Sequence, residues 1–112
     1  MQYKINSKEY ELRFGIGVVR ELNKVAGMES GGVGVGMNLA KAMPGLESYD
    51  TSVLSEVIYS ATKNKKNQGR PGLEDVDEAL ENDADLGKVF DDVQKELNES
   101  NAVKFATKNM KA

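Results

Sequence analysis

The sequence predicts a mainly helical α+β fold, with a short N-terminal β-hairpin packed on a bundle of about four to five helices. Three observations predict it. The first fourteen residues alternate apolar and polar side chains, the remainder carries apolar stripes at helical spacing, and Gly, Pro and Asp divide those stripes into helix-length pieces. At 112 residues the chain has the size of one domain. Such a chain buries roughly 65% of the surface it exposes when unfolded, enough for one modest core. Residues 1–98 are expected to form a single hairpin-plus-helical domain, and residues 99–112 a flexible basic C-terminal tail.

In MQYKINSKEYELRF, Tyr3 and Ile5 lie on one face, followed by Tyr10, Leu12 and Phe14, with Lys4, Glu9, Glu11 and Arg13 between. A turn centred on Ser7 and Lys8 sets Ile5 opposite Tyr10, Tyr3 opposite Leu12 and Met1 opposite Phe14. All the apolar side chains then share a face that a one-residue slip would split. The turn is not the favoured Asn-Gly pair, so its type stays open. A two-stranded hairpin is marginal alone, so this face needs helices to pack on.

After Gly15, the run IGVVRELNKVAG places Val18, Val19, Leu22, Val25 and Ala26 at helical spacing, and Gly27 suits its end. A glycine-rich stretch, GGVGVGMN over 31–38, comes next. Residues 37–43 read as a short helix stopped by Pro44-Gly45. Asp50 is a good N-cap for the strongest helix, whose stripe is Val53, Leu54, Val57, Ile58 and Ala61. That helix runs out in the basic loop KNKKNQGRPG. Two acidic helices follow, with Leu73, Val76 and Leu80 on the first and Leu86, Val89, Phe90, Val93 and Leu97 on the second. Residues 100–112 lose the pattern and are expected to fray.

Composition narrows the chemistry. The chain has no cysteine and no histidine, which removes disulfides, thiolate chemistry, the commonest metal ligand and a Ser-His-Asp triad. The N-terminus lacks the charged start and apolar run of a signal peptide, and no stretch approaches the ~18 apolar residues of a membrane span. A cytoplasmic protein is expected. Net charge is −3 but uneven. Residues 1–72 carry 10 basic and 7 acidic side chains, 73–99 carry 2 and 11, and 100–112 carry 3 and none. The acidic third repels a polyanion, which argues against general nucleic-acid binding, and unlike-charged regions favour protein contact or self-association.

Each motif has a plainer reading beside the chemical one. GGVGVGMN has the length of a phosphate-binding G-x-x-x-x-G-K-[ST] loop, but Met37 and Asn38 stand where lysine and a hydroxyl are needed. The dinucleotide pattern fails as well, with Leu39 at its third glycine. The stretch therefore reads as a joint between helices. Asp83, Asp85 and Gly87 suggest a calcium loop, yet glycine falls one position early and Gln94 replaces the bidentate glutamate. Asp75/Asp77 and Asp91/Asp92 read as solvated helix faces. Lys63, Lys65, Lys66 and Arg70 could touch phosphate, but no aromatic side chain is interleaved beyond Tyr59 upstream. Met28, Met37 and Met43 fit either an adaptable contact surface or core filling. No catalytic, cofactor-binding or metal residue is assigned, and the partner-contact residues stay unknown.

The order YKINSKEYELRFGIGVVRELNK, GVGVGM, LESYDTSVLSEVIYSAT, a Pro-broken loop and LEDVDEALEN resembles the tail assembly chaperones of long, non-contractile-tailed phages. The form is that of phages and prophages of Gram-positive bacteria, and the likeness covers about residues 2–98. The resemblance implies a non-enzymatic, cofactor-free assembly factor. Such a factor binds the tape measure protein, recruits subunits of the major tail tube protein, self-associates, and is missing from the finished virion. It implies no contact residue that can be matched position by position. Many relatives are also made in a longer form by a −1 ribosomal slip. Thr107-Lys108-Asn109 permits one, because ACA AAA AAC contains the heptamer A AAA AAC. The alternative is a small cytoplasmic regulatory or nucleic-acid-associated protein using the 63–70 loop.

Overall fold

The structure is a computed structural model that describes residues 1–25, 37–62 and 69–110. Its elements run β1 (Gln2–Ile5), β2 (Lys8–Glu11), α1 (Ile16–Val25), α2 (Met37–Glu47), α3 (Thr51–Ala61), α4 (Leu73–Glu81), α5 (Leu86–Glu99) and α6 (Asn101–Met110). The expected hairpin and helical body are both present. Helix α3 is the hub, packing against α1, α2 and α4, while α6 lies across α2, α5 and α1.

The strands pair antiparallel with Gln2 opposite Glu11, Tyr3 opposite Tyr10, Lys4 opposite Glu9 and Ile5 opposite Lys8. The turn is therefore centred on Asn6 and Ser7, not on Ser7 and Lys8. Both turn residues have positive φ, 53° and 65°. This left-handed pair matches the twist of the strands, and Asn tolerates it because its short polar side chain reaches nearby backbone. Each residue thereby meets a partner two positions from the expected one. A two-residue shift preserves facing, so Ile5, Tyr10 and Leu12 still enter the core together.

Helix α2 does not stop at Pro44. It continues to Glu47, because Leu46 is fully buried and its packing outweighs the backbone bond that proline cannot make. The helix ends in a left-handed residue, Tyr49, at φ 59°. Tyr49 N donates to Leu46 O at 3.0 Å and Asp50 N to Gly45 O at 2.9 Å, the paired bonds of a Schellman end. Asp50 then opens α3, its carboxylate accepting from the N–H groups of Ser52 and Val53. Its carboxyl is held below the ordinary value by those bonds, the Ser52 hydroxyl first.

Residues 101–110, expected as fraying tail, form α6. Val103 anchors the helix; it is 2% exposed and contributes about 1.5 kcal/mol by burial. The core it joins is continuous from the hairpin through every helix, with Leu54, Val57, Ile58, Val76, Val93 and Leu97 among its most buried members.

Candidate functional site

The basic loop was the sequence's candidate for phosphate contact. Lys63, Lys65 and Lys66 lie outside the described residues, and Arg70 turns inward. Its Nη2 lies 3.1 Å from Glu21 Oε1 on α1 and donates to Tyr59 O at 3.2 Å. Its Nε donates to Thr62 Oγ1 at 3.3 Å. The guanidinium also stacks over the Tyr59 ring, 4.0 Å from its centroid. A planar five-donor cation suits this task, because it satisfies a carboxylate, a carbonyl and a hydroxyl from one position. Arg70 thus joins α1 to the end of α3, and the phosphate reading loses its arginine.

The candidate carboxylates are likewise dispersed into local roles. Asp75 accepts from Gly72 N at 2.9 Å at the start of α4, and that backbone bond, with Asn6 second, holds its carboxyl below the ordinary value. Asp77 accepts the Ser55 hydroxyl. Asp83 accepts the Tyr3 hydroxyl at 2.7 Å and the Asp85 N–H at 2.8 Å. Asp85 itself accepts from Lys88 N at the start of α5. Asp92 pairs with Lys88 at 2.8 Å one turn along the helix, which raises the lysine. The calcium-loop residues therefore build a helix start. Among the described residues no group of three or more acidic side chains converges as a metal cage would require.

Tyr3–Asp83 is one long-range polar link of the hairpin to the helical body. Burial raises the phenol far above its ordinary value, and the hydrogen bond and charge of Asp83 add to the shift. The phenol therefore stays protonated and donates to Asp83. Nothing in the sequence marks these residues as partners, because contacts eighty positions apart leave no local pattern.

Surface depressions lie beside these elements. One runs beside β1, between the hairpin and the C-terminal end of α4, and is lined by Gln2, Lys4, Asn6, Glu78, Asn82 and Asp83 among others. Another lies between α3, α4 and the start of α5, with Ser55, Asp77, Leu80 and Leu86 in its walls. Ser55 is bonded there to a carboxylate, but with no histidine in the chain it has no imidazole to activate it. Among the described residues, the large apolar side chains of Ile16, Tyr49 and Phe105 are exposed. Met1 and Met43 pack against the core, which favours the core-filling reading for those two. The glycine stretch before Met37 and Met28 lie outside the described residues. No helix among the described residues is long and apolar enough to cross a membrane.

The surface thus offers a shallow groove beside β1 and exposed aromatic rings at Tyr49 and Phe105. A family model described as "phage tail assembly chaperone protein, TAC" matches residues 2–111. No curated protein and no solved structure matches the chain significantly. The family match spans hairpin, helical body and α6 alike, and by it the chain belongs to the phage tail assembly chaperone family.

Proposed function

We propose that this protein is a non-enzymatic factor that binds the phage tape measure protein in the host cell cytoplasm and prevents its apolar surfaces from aggregating. It recruits subunits of the major tail tube protein, acts as a homo-oligomer, and leaves before the virion is finished. The observation that carries the reading is the family match over nearly the whole chain. The dispersal of the carboxylates and of Arg70 into helix starts and ion pairs supports it, since these side chains are committed to holding the fold.

The test is co-expression with the tape measure protein of the same phage. The soluble fraction of the tape measure protein is expected to rise, and the two proteins to elute together. Unchanged solubility and separate elution would overturn the proposal. A longer product belongs to the same reading, and sequencing the codons for residues 107–109 tests it directly.

A further inference from the structure

The two edges of the hairpin are not equivalent. Leu12 N donates to Met1 O at 2.7 Å, so the antiparallel alternation gives inward bonds to Met1, Tyr3 and Ile5. The backbone groups of Gln2 and Lys4 consequently turn outward, away from β2. On the other edge the same alternation turns Glu9, Glu11 and Arg13 outward, and there Arg13 N is taken by Ala61 O at 3.0 Å. That edge is thus tied to the body just past β2, at Arg13, whereas the β1 edge opens into the groove whose far wall is the end of α4. Both Gln2 and Lys4 are exposed.

The groove has a charge to match. Lys4 lies directly opposite Glu9 in the ladder, so these two offset each other. The lining carries three carboxylates, Glu9, Glu78 and Asp83, against the single cation Lys4, so the groove is net acidic. An extended chain lying along β1 would meet backbone donors and acceptors on one side and two carboxylates on the other.

We propose that the outer edge of β1 is a strand-addition site for an extended basic segment of a partner protein. The segment pairs its backbone with Gln2 and Lys4, and directs alternate Lys or Arg side chains toward Glu78 and Asp83. This goes beyond the chaperone reading and does not depend on which protein supplies the segment.

The probe is a synthetic eight-residue peptide alternating Lys and Thr, titrated into the full-length protein and followed by amide NMR. A peptide alternating Glu and Thr serves as its control. The basic peptide is expected to shift the Gln2 and Lys4 amides and slow their exchange with solvent, and the acidic one to do neither. Glu78→Lys should weaken binding about fivefold, as for reversal of an exposed charge. Lys4→Pro should abolish the shifts at Gln2, because it removes an N–H that the hairpin itself does not use. Glu78→Lys leaves the backbone untouched, so it tests the site even if Lys4→Pro unfolds the hairpin. Absence of binding, or binding unchanged in Glu78→Lys, overturns the proposal. Concentration-dependent shifts of the same amides without peptide would assign the edge to a second copy of this chain and overturn the basic segment as occupant.

Discussion

Arg70 Nη2 lies 3.1 Å from Glu21 Oε1, and the carboxylate it holds belongs to a residue only 4% exposed. Removing one member of a buried pair typically costs 3–5 kcal/mol. Arg70 is partly open to solvent, so Arg70→Ala is expected to cost about 2 kcal/mol, read as a lower urea midpoint. Adding Glu21→Gln should recover part of that loss. A double variant no better than the single one would place the stabilisation in the Tyr59 stack instead.

Tyr49 occupies a left-handed position while its ring meets Phe90 edge-on, with centroids 5.1 Å apart. The backbone costs about 1–2 kcal/mol for a side-chain-bearing residue, and the ring pair returns about 1 kcal/mol. Tyr49→Gly should be close to neutral, because it loses both. Tyr49→Ala keeps the strain without the ring and should cost about 1 kcal/mol. Thermal unfolding of the two variants gives the order directly.

Gly45 lies against the next helix, where an added Cβ would come within 2.9 Å of Val53 Cγ2. In an open helix Gly→Ala stabilises by about 1 kcal/mol. Here overpacking should reverse the sign, and Gly45→Ala should destabilise by about 1 kcal/mol. In a Val53→Ala background the same substitution should become neutral or stabilising. Denaturant melts of the four proteins close the cycle.

Burial raises the Glu56 carboxyl above its ordinary 4.5, and the charges of Asp50 and Asp77 add to the effect. The folded state thus binds this proton more tightly than the unfolded chain. Its contribution is favourable below the ordinary value and is lost as pH rises through the raised one. Glu56→Gln should therefore unfold at higher temperature than the parent at about pH 7 and with it at about pH 3. A difference that stays constant with pH would attribute the effect to packing.

Much of this architecture was legible in the sequence, for reasons that also explain what was not. Strict alternation in residues 1–14 and the stripes of α3 and α5 report burial on one side, and burial has a period. The N-cap at Asp50 was legible because its chemistry is local. The turn at Asn6-Ser7 was misplaced by one residue, since Asn-Ser carries a weaker signal than Asn-Gly. Helix α2 was ended too early because Pro44 disfavours a helix locally while the burial of Leu46 is tertiary. Helix α6 escaped notice because Val103, Ala106 and Met110 make only a weak stripe in a polar, basic segment. For the surface the sequence did less. Arg70 looked like one more solvated cation until folding brought Glu21 and Tyr59 to it. The β1 edge depends on which way the backbone groups face, and composition does not record that.

The corner around Asp50 has a consequence for how such chains can change. One residue completes the end of α2 through its N–H and begins α3 through its carboxylate, so no slack separates the two helices. Inserting a residue between Tyr49 and Asp50 would separate the two tasks, so that the end of α2 would lose the Asp50 N–H or α3 would lose its cap. The corner therefore works as a length gauge, and relatives that keep this architecture are expected to gain and lose residues elsewhere.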